Sequence, residues 1–238
     1  MTDQIFLSSI RLNNKGLEYL ERRRYEDAIC VFTQALSIIL AKQGALGVAQ
    51  EEFNTVVKDC CHDVLESSED HHDYCFVEMQ LQCLDSEAAV PSYVFTSPIM
   101  IPEESIQSAD SRSMLSAVKI SVILTFNLAL AHHFKAIESN SMAAFAKALR
   151  LYELVHQIQM QEDMELCVLH SLALANNLGH VHLALNNTHR SKQCFEHLLA
   201  TLMYFVEGGE CEKDDAMQGF FRNTIPLILK DKVVAAAA

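Results

Sequence analysis

Cysteine and histidine are the residue types here that could do chemistry on their own. Eight Cys stand at positions 30, 60, 61, 75, 83, 167, 194 and 211. Cys60-Cys61-His62, His71-His72 and Cys75 offer the thiolate and imidazole groups that bind zinc. Their spacing matches neither a C-x2-C nor an H-x3-H pattern. Cys60 and Cys61 are neighbours, so on a helix they would point about 100° apart. His132-His133 and His180-x-His182 are poorer, because adjacent or alternate residues do not share a helix face. Nucleophilic catalysis needs a Ser or Cys beside an oriented base. No GxSxG elbow, phosphate-binding loop or dinucleotide fingerprint occurs. The sequence therefore assigns no metal, no cofactor and no catalytic residue, and its reading is of a protein that is not an enzyme.

A different chemistry is offered by Asn14, Asn127 and Asn177. An Asn side chain carries two donors and an acceptor, so it can pair with an extended peptide main chain without reading its sequence. Each such bond is worth about 0.5–1.5 kcal/mol net. Three fall short of the roughly 8 kcal/mol that a micromolar ligand needs. Leu17, Leu130 and His180, one turn further along, are the candidates for side-chain anchors. The competing role for these Asn is to bond neighbouring helices to one another.

The elements that position them follow from small and aromatic residues at fixed spacing. From Gly16 the pattern runs Tyr19, Ala28, Phe32 and Ala35. The same spacing follows Ala129 as His132, Ser141, Phe145 and Ala148, and follows Gly179 as His182, Ser191, Phe195 and Leu198. Asn14, Asn127 and Asn177 each lie two residues before the small residue. Paired helices pack with axes roughly 8–10 Å apart, and small side chains at the contact allow that approach. Gly inside a helix costs about 1 kcal/mol against Ala, so close packing is a reason to retain it. Phe32, Phe145 and Phe195 are expected to fill the volume between hairpins. The periodicity predicts helices over 3–22, 25–43, 114–138, 141–161, 164–186 and 189–206. A seventh helix, capped by Asp214 or Asp215, is expected to stop before Pro226 and to shield the last apolar face with Phe220 and Phe221.

This pattern resembles the tetratricopeptide repeat (TPR), with two antiparallel helices per copy. The pieces FNLALAHH, ALRLYELVHQIQ, NNLGHVHLAL and CFEHLLATLMYF also resemble short TPR-like proteins of microalgae. The resemblance implies an all-α array of antiparallel hairpins, an α-solenoid, and a role in protein interaction. In some TPR families a ladder of Asn lines the groove and holds a peptide, which would make Asn14, Leu17, Asn127, Leu130, Asn177 and His180 groove residues. Other TPR domains clamp a chaperone's C-terminal carboxylate with an Asn directly after the Gly. Here Leu17, Leu130 and His180 occupy that place, so no such clamp is assigned.

Charge divides the chain further. The net charge is −13. Residues 44–112 hold 14 acidic and 2 basic residues, while the remainder is nearly balanced. Four segments result: a first hairpin over 1–43, an acidic insert over 44–113, two long hairpins over 114–207, and a capping helix with a frayed tail over 208–238. The insert repels phosphate and no broad basic face offsets it, so no nucleic-acid partner is expected. Within it, 48–65 has a helical period. Residues 75–83 alternate as a strand, and Tyr93–Ile101 reads as a second, with Pro98 forcing an edge or a bulge. The two would form a small β-hairpin, packed on the helices or partly disordered. The start, MTDQIFLSSI, carries no basic leader, and the apolar run 120–131 is too short to span a bilayer. The expectation is a protein of the reduced interior, cytoplasmic or nuclear, with reduced thiols and no membrane partner. Its function reads as a non-catalytic adaptor that holds a peptide or protein segment in its groove. The rival is a structural protein that self-associates or docks through the acidic insert or the convex face.

Overall fold

Three pairs of helices are closed by one kind of turn, and that turn fixes the register of everything else. The computed structural model describes residues 2–41, 55–57, 59, 93–102, 114–161, 168–207 and 215–236. Among these residues the regular elements are α1 (Thr2–Glu21), α2 (Tyr25–Leu40), α3 (Met114–Ser139), α4 (Met142–Gln161), α5 (Val168–Ala184), α6 (Thr188–Glu207) and α7 (Asp215–Ala236). Residues 55–57 and 59 are also helical.

The backbone N–H of Arg24 donates to the Tyr19 carbonyl at 2.9 Å, that of Ser141 to Ala136 at 3.1 Å, and that of Asn187 to His182 at 2.8 Å. The residue before each donor has positive φ: Arg23 at 56°, Asn140 at 49° and Asn186 at 58°. This is the Schellman closure, which satisfies carbonyls left over at a helix end. The chain then turns straight into the next helix. Ser141 caps α4 by accepting the Ala144 N–H on its hydroxyl at 3.2 Å.

That turn corrects the second copy of the repeat. Counted from the closures, Tyr19, Ala136 and His182 are equivalent, and so are Gly16, His133 and Gly179. The sequence alignment through Ala129, Ser141 and Phe145 is therefore one helical turn out of register. Ser141 is a cap rather than a small contact residue within α4. Four residues make slightly more than one turn, so a slip of four leaves the apolar stripe nearly unchanged and is invisible to periodicity.

The first and third hairpins keep the expected contact with a different geometry. A Cβ at Gly16 would collide with the Phe32 ring, 2.6 Å from Cζ. One at Gly179 would come within 2.8 Å of the Phe195 ring. Each Phe thus packs against the first helix of its own hairpin. Ala28, Ile29, Phe32, Ala35, Leu36 and Ile39 form one buried stripe on α2. On α6 the stripe is narrower: Ser191, Phe195, Leu198 and Leu202.

The chain divides into two compact units. The first comprises residues 1–66 and 96–166, the second 67–95 and 167–238. In the first unit α2 packs on both α1 and α3, α3 pairs with α4, and α1 also touches α3. In the second, α6 packs on α5 and α7, and α5 touches α7. Over Ala117–Ser139, α3 has the length and apolarity of a bilayer-crossing helix, more than the run 120–131 suggests, and most of that stretch is buried. It is a core helix, apolar on every side because neighbours cover it.

Two expectations about the ends and the insert are corrected. The seventh helix does not stop before Pro226 but continues to Ala236. Among the described residues there is no strand: Tyr93–Ile101 is extended but joins no ladder. The companion strand over 75–83, most of the helix over 48–65, Asp214 and the Gly208-Gly209 stop lie outside the described residues, as do Cys60, Cys61, His62, His71, His72 and Cys75.

Candidate functional site

An Asn amide buried in a helical protein must find partners for two donors and an acceptor. Six Asn meet this demand in two sets of three, one in each unit, and both sets use the same wiring.

In the first unit Asn127 of α3 holds both main-chain groups of Ile99. Its Oδ1 accepts the Ile99 N–H at 2.9 Å and its Nδ2 donates to the Ile99 carbonyl at 2.8 Å. The same Nδ2 donates to Asn13 Oδ1 at 2.8 Å. Asn13 of α1 donates to the Ile99 carbonyl at 3.1 Å and to Asn14 Oδ1 at 3.2 Å. Asn14 holds Ile101: its Nδ2 donates to the Ile101 carbonyl at 3.0 Å, and its Oδ1 accepts the Ile101 N–H at 3.4 Å.

The second unit repeats the arrangement. Asn223 of α7 accepts the Tyr93 N–H at 3.1 Å and donates to the Tyr93 carbonyl at 2.6 Å and to Asn176 Oδ1 at 2.7 Å. Asn176 of α5 donates to the Tyr93 carbonyl and to Asn177 Oδ1, both at 3.1 Å. Asn177 accepts the Phe95 N–H at 3.0 Å and donates to its carbonyl at 3.1 Å. Asn13, Asn127, Asn176 and Asn177 are wholly buried.

The two clamps correspond residue for residue. A doubled Asn on one helix works with a single Asn on a neighbouring helix, and together they grip residues two apart in an extended chain. Alternate residues of an extended chain face the same way, which is why 93 and 95, and 99 and 101, are held. Pro98 falls between gripped residues, where its missing N–H costs nothing. This is why a proline sits comfortably in a main chain held through its amides.

Side chains complete the second clamp. Gly219 leaves room for the Tyr93 ring, which a Cβ there would strike at 2.5 Å. Phe220 is fully buried, with Phe95 stacked on it at 5.8 Å and Tyr93 edge-on at 5.6 Å. In the first clamp Ile101 is buried, whereas Met100, between the two gripped residues, is 66% exposed.

The residues expected from sequence fall as follows. Asn14 and Asn127 meet in the first clamp, and Asn177 belongs to the second. Leu17, Leu130 and His180 are all buried. Burial pushes His180 down to about 4, and His170 likewise. Asn13, Asn176 and Asn223 were not anticipated. Their signal was present in the doublets Asn13-Asn14 and Asn176-Asn177, because Asn is a poor helix former and a pair of them on an apolar helix needs a reason. His132 and His182 are buried. His133 lies between aromatic rings, 5.9 Å from Phe145 and 6.0 Å from Tyr152 by centroid. Among the described residues no cluster of three metal-ligand side chains occurs.

The hairpins make an all-helical arrangement similar to that of tetratricopeptide repeats. The tetratricopeptide repeat family matches residues 172–200, within α5 and α6. That family serves protein–protein interaction in general and is typically non-catalytic. Comparison with curated proteins and with solved structures returns no match, so the likeness to microalgal proteins finds no support.

Proposed function

We propose that this protein is a non-catalytic interaction adaptor whose asparagine clamps hold the main chain of an extended protein segment. The observation that carries the reading is the clamp itself. Amides that lie on helices, where Asn is disfavoured, direct their donors and acceptors to the main chain of a non-helical segment. A core that needed only to be filled would use Leu or Ala at these positions without the cost of burying polar groups. Each clamp makes five hydrogen bonds to main chain. At about 0.5–1.5 kcal/mol net apiece, five approach the roughly 8 kcal/mol of a micromolar complex, and apolar side chains such as those on Phe220 supply more.

The test is to replace Asn127 and Asn177 with Ala and compare partner capture with the unaltered protein. Loss of partners with helical content retained is expected. Undiminished capture by a folded variant would rule the groove out and favour docking through the acidic insert.

A further inference from the structure

The clamps are already filled by the chain's own residues 93–101. Three features show that this segment fits as a ligand fits. Its contacts run through main-chain N–H and C=O groups, which any extended chain possesses. Its gripped side chains, Tyr93, Phe95, Ile99 and Ile101, are bulky and apolar. Its burial is uneven: Phe95 and Ile101 are buried, Tyr93, Val94, Pro98 and Ile99 are half-buried, and Thr96, Ser97 and Met100 are exposed. Only two of its nine side chains are thus buried, fewer than a segment of a permanent core would bury.

We propose that residues 99–101 and 93–95 are tethered occupants of the first and second clamp respectively, and that each clamp's partner is an extended segment with bulky apolar residues two apart, aromatic at the Asn223–Asn177 clamp, which binds by displacing them. This rests on the interaction reading above and adds what the partner looks like and what holds it off. Aromatic preference follows from the Gly219 notch and the Phe220 ring. The restraint follows from tethering. A ligand joined to its own site acts at an effective concentration in the millimolar range, and a free competitor's apparent affinity falls with the fraction of open sites.

A labelled peptide, YVFTSPIMI, titrated into the full-length protein tests this. Two release variants are compared with the unaltered chain. In one, Tyr93, Phe95, Ile99 and Ile101 are all replaced with Ser. In the other, Ile99→Pro removes the N–H that Asn127 accepts and leaves the other three gripped side chains in place, and it serves if the first does not fold. The expected result is at least tenfold tighter peptide binding by a release variant, abolished when Asn127→Ala and Asn177→Ala are added. A peptide in which Tyr and Phe are replaced with Ser should bind at least tenfold more weakly. Equal peptide affinity for released and unaltered protein would overturn the tethered-occupant proposal. If captured partners still depended on Asn127 and Asn177, the adaptor reading would survive that result. Peptide binding that ignored the Asn substitutions would sink both.

Discussion

Asn127 and Ile99 are joined by two hydrogen bonds, N–H to Oδ1 at 2.9 Å and Nδ2 to carbonyl at 2.8 Å, across 28 residues of sequence. The pairing satisfies a buried amide and a turn of extended backbone together. Asn127→Asp keeps the shape but removes the donor. Asn13 Oδ1 would then face a carboxylate with no hydrogen between, while the Ile99 carbonyl keeps the Asn13 donor. Leaving a buried acceptor unmet costs about 1–3 kcal/mol, so urea denaturation should show a loss of that size, about 1–3 kcal/mol. An unchanged midpoint would mean that the pair does not stabilise the fold.

Gly16 and Gly179 should not accept Ala. Helix propensity alone predicts a gain of about 1 kcal/mol, but the added methyl meets the Phe32 or Phe195 ring. Overpacking of this kind costs about 1–3 kcal/mol, so the sign of the change decides. A melting temperature that falls with Gly16→Ala, and recovers when Phe32→Leu is added, is the expected double-mutant result. Phe195→Ala, at a residue 3% exposed, should cost about 3–5 kcal/mol.

Arg23 carries a left-handed backbone that Asn supplies in the other two turns. A non-glycine residue there costs roughly 1–2 kcal/mol, and glycine adopts that conformation freely. Arg23→Gly should therefore raise the melting temperature. A decrease would show that the arginine side chain contributes more than its backbone loses.

Acid should weaken the second unit. Burial lowers His170 and His180 to about 4 from an ordinary value of 6.5. Between those values the unfolded chain binds protons that the folded chain excludes. Stability is thus fully present above about pH 6.5 and falls as pH drops towards 4. The loss is on the order of 3 kcal/mol for each histidine at the end of that window. Denaturation midpoints at pH 7.5 and 5 should differ, and His170→Gln should narrow the gap.

The helices were legible because their cause is local. Apolar residues three and four apart, with Gly16 and Gly179 set opposite Phe32 and Phe195, specify hairpins whatever lies elsewhere. The turn of the second hairpin was expected in its place, but the repeat was aligned on it four residues out, since periodicity cannot distinguish one helical turn from the next and the deciding signal was the left-handed Asn140. The strand expected at Tyr93–Ile101 does not form: its main chain is held by Asn amides instead of a neighbouring strand. Alternating apolar residues specify an extended chain, but the same pattern suits a ladder or a row of amides.

Sequence by itself thus determined where the six hairpin helices lie, and that Asn14, Asn127 and Asn177 could hold a main chain. Only tertiary structure decided that Asn13, Asn176 and Asn223 complete two matching clamps, and whose main chain they hold. The reason is distance along the chain. Asn14 meets Ile101 across 87 residues and Asn223 meets Tyr93 across 130, and no local pattern encodes which remote backbone will reach a given amide. An amide offers its donors and acceptor to any peptide; the fold alone brings one to it.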